Sequence, residues 1–329
     1  MKMIGSLRKP WPSLGIEMFK ILVTAPPVVS QADRYREQFI RNNMEPVFLA
    51  SEQQVSKEIL LAMVGDFDGW MLGDDICDQE ILSAGKLGKL RGALRWGAGF
   101  DNVDAKAASE LGIPIENTPG TFANEVADMA LGYLIALARD IPQVSQGVFD
   151  GQWLKPVGSS LAGKKVGIVG LGVIGQAIVR RLHVLEMSLV GYDPVSDFDH
   201  DGTVDLMIWP EGLSGLDYLI LACPLTRDNF KMINGEVLSL MKTGCKIINV
   251  ARGGLVDEKA LIHALREKKV AAVALDVFEQ EPLRNSELLE FKQNLYGSHN
   301  ASNTVEAVDR TTAIAIEKLS KLLGGLNGR

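Results

Sequence analysis

A glycine-rich turn between a strand and a helix constrains the fold of this chain more than any other feature. The stretch KKVGIVGLGVIGQAIVRR, residues 164–181, has Gly170, Gly172 and Gly175 directly after an apolar run. In a strand–turn–helix unit the first glycine permits a tight turn, the second lets backbone approach a pyrophosphate, and the third lets the helix pack closely. An anion there contacts free N–H groups at the positive end of the helix dipole. The pattern therefore predicts a dinucleotide site, and the alternative is an ordinary structural turn.

An acidic residue at the end of the next strand bears on which dinucleotide would bind. Asp193 ends the run SLVGYD and follows Gly175 by 18 positions. A carboxylate at this place accepts hydrogen bonds from the adenosine ribose hydroxyls and repels a 2′-phosphate. The spacing therefore predicts NAD rather than NADP as the cofactor, unless Asp193 is only a residue that ends a strand.

Short β-rich runs alternate with helical runs along two stretches of the chain. The first stretch extends from Lys20 to about Gly120, and the second starts at Lys165 and contains six such runs. This alternation is typical of parallel sheets with helices on their faces. Because 329 residues exceed the size at which one core usually stops growing, we expect two α/β domains.

The segment TFANEVADMALGYLIALARDIPQ lies between the two series and predicts one long helix, since it has no proline before Pro142. Glu125 and Asp128 fall in its early turns and Arg139 in its last, which matches the helix dipole. The helix is apolar on nearly every face, so we expect it to be buried in the protein or against another subunit.

Composition narrows the class of partner. The chain has 34 basic and 41 acidic residues, a net charge of −7 that disfavours nucleic acid or an anionic membrane as the main partner. The three cysteines lie far apart and outside any metal-like spacing, which indicates reduced thiols and no metal site. The first 20 residues contain no apolar core of signal-peptide length, and no stretch reaches about 18 uninterrupted apolar residues. We therefore expect a soluble, cytoplasmic protein with a small-molecule ligand, whose residues 1–17 form an N-terminal extension.

Three polar residues follow later strands of the second series. Arg252 comes after IINVA, Asp276 after VAAVAL, and His299 after NLYGS. The carboxyl ends of these strands lie at the edge where a nicotinamide would bind. Arg252 can hold a substrate carboxylate with two parallel hydrogen bonds, and the two glycines after it let backbone approach a ligand. His299 can take the hydroxyl proton as hydride leaves, so the set suits oxidation of a hydroxy acid.

The other histidines are less suited to proton transfer. They lie in two predicted helices and in a polar loop, and they are His183, His263 and His200. A carboxylate beside His299 would favour its imidazolium form, and two candidates for this partner are Glu279 and Glu281.

Seven blocks of sequence, in this order, resemble one family over nearly the whole chain from Lys20. They are GAGFDNVD, GIPIENTPG, GLGVIG with GYDP, CPLT, INVARGGLVDE, ALDVFEQEP and the block around His299. The chain is similar to the D-isomer-specific 2-hydroxyacid dehydrogenases, and most of all to the phosphoglycerate dehydrogenases among them. The resemblance implies an α/β fold of two Rossmann-like or flavodoxin-like domains with parallel sheets and a cleft between them. It also implies a homodimer, with the long helix after Thr121 at the interface.

The resemblance divides the chain and assigns its residues. It implies a substrate-binding domain made of 18–118 and 302–329, and an NAD-binding domain at 119–301. Arg252 would bind the substrate carboxylate, Glu281 rather than Glu279 would partner His299 as the acid/base, and Asp276 would contact the nicotinamide carboxamide. Ala98 and Gly99 would add backbone amides to the carboxylate, and Arg95 would lie near a substrate phosphate. Further cofactor contacts would come from Val173, Ile174, Pro224, Thr226 and Ala251.

Two departures from the family pattern affect the substrate prediction. The family usually has proline before the histidine and glycine two residues after it, whereas this chain has Ser298 and Ala301. The resemblance implies NAD-dependent interconversion of a D-2-hydroxy acid and its 2-keto acid, with 3-phosphoglycerate and 3-phosphohydroxypyruvate as the first candidates. Glyoxylate or hydroxypyruvate reduction is an alternative within enzymes. An NAD(H)-sensing, corepressor-like interaction protein is an alternative of another class.

Overall fold

The computed structural model describes residues 18–195 and 202–325, and the chain forms two compact units. Unit 1 contains the described residues up to Thr121 together with those from Asn303 onward, and unit 2 is Phe122–Ser302. The predicted N-terminal extension, the predicted loop around His200 and the last four residues of the chain lie outside the described residues.

Unit 1 is built on a parallel sheet of five strands in the order β2-β1-β3-β4-β5, which is the flavodoxin-like order. Residues of β3 and β4 are buried throughout, as expected for strands covered on both faces. The strands are β1 Phe19–Val23, β2 Met44–Phe48, β3 Gly69–Leu72, β4 Gly92–Arg95 and β5 Ile115–Asn117.

Helices connect these parallel strands, and short polar residues begin two of them. Asp78 accepts hydrogen bonds from the N–H groups of Glu80 and Ile81, and Asp104 accepts one from Ala107, so each carboxylate caps a helix N-terminus. The helices are α1 Pro26–Val29, α2 Ala32–Arg41, α3 Lys57–Met63, α4 Gln79–Leu87 and α5 Ala105–Glu110.

Unit 2 contains a parallel sheet of seven strands in the order β12-β11-β10-β9-β6-β7-β8. The six predicted runs all form strands, and β8 is an additional edge strand that sequence analysis missed. The strand order reverses between β6 and β9, which makes a crevice at their carboxyl ends, the usual ligand position in such sheets. The strands are β6 Lys165–Val169, β7 Ser188–Tyr192, β8 Val204–Leu206, β9 Tyr218–Leu221, β10 Cys245–Asn249, β11 Val270–Leu275 and β12 Leu295–Tyr296.

The prediction of one long helix is wrong at its C-terminal end. The helix α6 stops at Arg139, Asp140 adopts a left-handed conformation with φ of 51°, and a separate helix begins before Pro142. Pro142 has no N–H to donate to the carbonyl of Ala138, which instead accepts from the Ser159 N–H, so α6 cannot continue and proline occupies the first turn of a new helix. The α6 helix packs on α8, β10 and β11 within unit 2. The helices of this unit are α6 Ala123–Arg139, α7 Ile141–Phe149, α8 Val173–His183, α9 Gly235–Leu240 and α10 Glu258–Arg266.

The last helix, α11 Val305–Gly325, belongs to unit 1, which is therefore assembled from both ends of the chain. It packs on β3 and β4, and Trp96 Nε1 donates to Thr312 Oγ1 at 3.1 Å. Within the described residues, no helix combines the length and the apolar character that crossing a membrane would need.

Candidate active site

The glycine turn lies between β6 and α8, at the reversal of strand order in unit 2. Gly170 has a φ of 94°, and a Cβ on it would lie 2.7 Å from Cys223 Cα in the loop after β9. A Cβ on Gly175 would overlap the carbonyl oxygen of Gly170. A Cβ on Gly172 would meet no atom of the described residues within 4 Å. Packing therefore requires the first and third glycines, while the second faces open space where a pyrophosphate fits.

The helix after this turn begins at Val173, with Gly172 as its N-cap residue. Asp193, just after β7, accepts hydrogen bonds from the N–H groups of Leu171 at 2.7 Å and Val195 at 3.0 Å. Its carboxylate thereby orders the turn itself. Each carboxylate oxygen has a second lone pair, so Asp193 retains the capacity to accept a ribose hydroxyl.

Other predicted cofactor residues follow neighbouring strands at the same edge. In the loop after β9, Asn229 donates to the Pro224 carbonyl at 2.8 Å and accepts from the Thr226 N–H at 2.7 Å. After β10, the N–H of Ala251 donates to the Asn249 side chain at 3.0 Å. Ile174 lies in the first turn of α8. The structure thus brings the predicted cofactor segments to one edge of the sheet.

The loop that carries Arg252 is shaped by a buried polar residue that sequence analysis missed. Asn249 is fully buried, accepts from Ala251 and donates to the Arg252 carbonyl at 2.8 Å. An amide at the end of the predicted strand CKIIN was the available signal. The prediction that the glycines after Arg252 let backbone approach a ligand stays a prediction. A Cβ on Gly253 would overlap the backbone of Phe278, so contact between the loops after β10 and β11 also requires glycine at this position.

His299 and Glu281 form a hydrogen-bonded pair. His299 Nδ1 lies 2.8 Å from Glu281 Oε2, and both side chains are mostly buried. The other carboxylate oxygen, Oε1, accepts from the Phe278 N–H at 3.0 Å, so the carboxylate is held at both oxygens. Glu279, the alternative partner, instead lies 3.1 Å from Lys231 Nζ and accepts from the Glu258 N–H. The exposed positions of His183 and His263 on α8 and α10 place them outside this cluster.

Asp276 is only 1% exposed, and protein groups bind both of its carboxylate oxygens. Tyr133 Oη donates to Oδ1 at 3.0 Å, and the Ala301 N–H donates to Oδ2 at 2.8 Å. The Asp276 carbonyl accepts from the His299 N–H at 2.7 Å. The predicted contact of Asp276 with a nicotinamide stays a prediction, whereas its observed contacts hold the histidine loop. Tyr133 was not among the predicted site residues, and its available signal was a phenol in the apolar run ALGYLIALA of α6.

The histidine loop has a strained backbone. His299 has a φ of 55°, in the left-handed region that non-glycine residues adopt at a cost of roughly 1–2 kcal/mol. Two residues of this loop depart from the family pattern. Ser298 is exposed, and Ala301 is buried with its N–H donating to Asp276. The hydrogen bonds to Asp276 therefore stabilise a conformation that the His299 backbone would not adopt by itself.

The remaining predicted substrate residues lie in unit 1. Arg95 is the last residue of β4, is 6% exposed, and its guanidinium contacts the Asp74 carboxylate and donates to the Trp96 carbonyl. Ala98 and Gly99 follow in the loop after β4, and the Asn117 side chain donates to the Ala98 carbonyl at 2.8 Å. The Arg95 guanidinium is therefore buried and paired with a carboxylate of unit 1.

Comparison with known proteins gives a consistent result. Residues 131–301 match the family described as D-isomer specific 2-hydroxyacid dehydrogenase, NAD binding domain. A D-3-phosphoglycerate dehydrogenase of Methanocaldococcus jannaschii is 36% identical over 315 residues, which are 94% of this chain and 58% of that protein. A glyoxylate reductase of Pyrococcus furiosus is 36% identical over 281 residues, which are 82% of this chain and 83% of the relative.

Solved structures share the fold. A crystal structure of an NAD-dependent formate dehydrogenase from Staphylococcus aureus in complex with NAD superposes with a TM-score of 0.84 at 25% identity. The match covers 93% of this chain and 96% of that one. The chain spans less than two thirds of the length of the archaeal phosphoglycerate dehydrogenase but most of the length of the glyoxylate reductase.

Proposed function

Since the chain belongs to the D-isomer specific 2-hydroxyacid dehydrogenase family, we propose that it is an NAD-dependent oxidoreductase that interconverts a small D-2-hydroxy acid and its 2-keto acid. The ordered His299–Glu281 pair is the observation that carries this proposal. It lies after β11 and β12, in the same unit and at the same sheet edge as the glycine turn. A proton-transfer group and a dinucleotide turn on one sheet edge are the two parts that such a reaction needs.

The residues of the turn fit an NAD molecule. Gly172 leaves room for the pyrophosphate, the N-terminus of α8 at Val173 supplies N–H groups, and Asp193 supplies acceptors for ribose hydroxyls. Bound NAD would supply the hydride acceptor for oxidation of the hydroxy acid, and bound NADH would supply the hydride donor for reduction of the keto acid.

His299 exchanges the proton that accompanies the hydride. Its Nδ1 is directed at a carboxylate, which accepts hydrogen bonds only, so Nδ1 carries a hydrogen and Nε2 is the nitrogen that acts on the substrate oxygen. The Glu281 carboxylate stabilises the imidazolium that forms when the hydroxy acid loses its proton. In the reverse direction the imidazolium donates that proton to the keto oxygen.

Arg252 binds the substrate carboxylate in this proposal. It follows β10, the strand beside β11 in the sheet, and the Asn249 side chain fixes its carbonyl. A guanidinium can hold a carboxylate through two parallel hydrogen bonds, which orients the carbon that loses or gains hydride. The predicted role of the Ala98 and Gly99 amides in holding the same carboxylate stays a prediction.

Among the candidate substrates, the surroundings of Arg95 favour a small unphosphorylated acid over 3-phosphoglycerate. Its guanidinium contacts the Asp74 carboxylate and is buried, so a substrate phosphate would have to displace a carboxylate already in place. We propose glyoxylate or hydroxypyruvate as the preferred keto acid. The phosphorylated acid remains the second candidate, because a phosphoglycerate dehydrogenase is among the relatives.

A second copy of this chain is the proposed partner. Large apolar side chains are exposed after α6, with Phe149 84%, Trp153 79% and Val157 99% exposed. Large apolar side chains exposed close together in sequence are a feature of protein–protein interfaces. The resemblance predicted a homodimer with α6 at its interface. We propose that the interface also includes segment 141–157, which carries these exposed side chains.

A substrate panel tests the proposed function. NADH consumption should be measured with glyoxylate, hydroxypyruvate, pyruvate and 3-phosphohydroxypyruvate, alongside NADH binding by fluorescence. We expect turnover, with a higher kcat/KM for hydroxypyruvate than for its phosphorylated form. Tight NADH binding without turnover of any keto acid would instead support a cofactor-sensing interaction protein. A preference for 3-phosphohydroxypyruvate would refute the assignment of substrate but not of reaction.

A further inference from the structure

We propose that Tyr133 is a positioning residue for proton transfer, which holds the His299 loop in place through Asp276. The α6 helix, which supplies Tyr133, follows the first strand series, and the loop it reaches lies 143 residues later in the chain. No pattern in the sequence around either residue indicates this contact.

The hydroxyl of Tyr133 acts on the loop through one carboxylate. It donates to Asp276 Oδ1 at 3.0 Å, while Oδ2 accepts from Ala301 and the Asp276 carbonyl accepts from His299. Asp276 thus contacts the loop on both sides of the His299 side chain. Rotation of the carboxylate would break the Ala301 hydrogen bond, and the Tyr133 hydroxyl opposes that rotation.

Gly297 provides the space that this arrangement needs. A Cβ on Gly297 would overlap both Asp276 Oδ1 and Tyr133 Oη. Gly297 does not belong to the glycines with positive φ, so its lack of a side chain serves the packing of these two groups rather than a special backbone conformation. The phenol and the glycine are therefore complementary parts of one contact.

The Tyr133 hydroxyl is suited to donate its hydrogen bond to Asp276 at every working pH. Burial, together with the charge of Asp276 and the hydrogen bond to it, raises the pKa of the Tyr133 hydroxyl well above its ordinary value. The hydroxyl therefore keeps its hydrogen throughout the pH range in which a dehydrogenase works. Because the family pattern has a proline before the histidine and this chain has Ser298, the loop lacks the rigidity that a proline ring supplies. The contact with Tyr133 supplies an alternative restraint.

Substitution of Tyr133 by phenylalanine tests the inference, because it removes the hydroxyl and keeps the ring. We expect amide hydrogen exchange in a peptide spanning 295–304 to become about tenfold faster, with little change elsewhere in unit 2. We expect kcat for keto-acid reduction to fall about fivefold or more, while KM and the Kd of NADH change less than twofold. Tyr218→Phe is the matched control. It removes a buried phenol that pairs with Ser159, and it should leave both quantities unchanged.

A second variant guards against an ambiguous result. Gly297→Ala should displace the Asp276 carboxylate and accelerate amide exchange in the same peptide. Adding Tyr133→Phe to Gly297→Ala should then change the exchange rate and kcat by smaller factors than Tyr133→Phe does in the wild type. Unchanged exchange in Tyr133→Phe, a uniform acceleration across unit 2, or faster exchange with unchanged kcat would each overturn the proposal. The kinetic arm rests on the proposed dehydrogenase function, whereas the exchange arm does not. A wild type without turnover therefore refutes that function, and the exchange arm alone then decides whether Tyr133 holds the loop.

Discussion

At the scale of single residues, the proposed chemistry depends on a carboxylate that the backbone already holds in position beside the imidazole. Glu281 has one oxygen on the Phe278 N–H and the other on His299 Nδ1, so it needs little reorganisation when charge develops on the ring. Glu279 lies two residues away and faces Lys231 instead. The two glutamates belong to one loop, but their side chains point to different partners.

Replacing Glu281 by glutamine should reduce turnover about 10- to 100-fold, since the variant loses the negative charge that stabilises the imidazolium. The alkaline limb of the rate profile for keto-acid reduction should also move to lower pH, because the proton donor is then lost more easily. Glu279→Gln is the control and should retain both the rate and the profile. Steady-state kinetics between about pH 6 and 9 would measure the turnover and the pH profile of both variants. Comparable losses of turnover in the two variants would contradict the role of Glu281.

At the scale of elements, parallel strands gather residues that are distant in sequence, and polar groups at the other end of the strands hold them in register. Asp217 precedes β9, accepts from the Lys165 N–H at 3.0 Å and lies 2.7 Å from Lys242 Nζ. Burial by itself would raise the pKa of Asp217, but the Lys242 ammonium and the Lys165 N–H outweigh it and the pKa lies below its ordinary value.

Asp217→Asn should lower the free energy of unfolding at pH 7 by about 1 kcal/mol. A depressed pKa means that the carboxylate stabilises the fold above the unfolded-state pKa of about 3.9 and that this contribution is lost as pH falls through the folded-state value. The difference between wild type and variant should therefore shrink on acidification from pH 7 to about 3. Urea unfolding at both pH values would measure it. Asp205→Asn, at an exposed position on β8, should show no difference at either pH.

At the scale of the whole molecule, the chain buries its longest apolar helix of unit 2 within that unit but leaves large apolar side chains exposed just after it. The α6 helix packs on α8 and on two strands of the sheet, so it does not need a partner for most of its apolar surface. Phe149 and Trp153 lack such cover. The proposed homodimer interface is therefore centred on segment 141–157.

Introducing charge into this segment should prevent association. Trp153→Glu combined with Phe149→Glu should convert a dimer into a monomer in analytical ultracentrifugation, because burying two carboxylates in an apolar interface is unfavourable. Leu87→Glu makes the same change at another apolar residue, 91% exposed in unit 1, and should leave the dimer intact. A wild type that sediments as a monomer at micromolar concentration would contradict the proposal.

The sequence by itself determined the α/β class, six of the seven strands of the NAD-binding sheet and the glycine turn, because these follow from spacing between near neighbours. It also placed Arg252 and His299 after strands of that sheet, since parallel strands end at one edge. The resemblance predicted Glu281 rather than Glu279 beside His299, and the structure contains that pair. Only the tertiary structure decided that the Asp74 carboxylate contacts the Arg95 guanidinium and that Tyr133 donates to Asp276. Those contacts depend on the direction of side chains brought together by folding, and local spacing does not encode such directions.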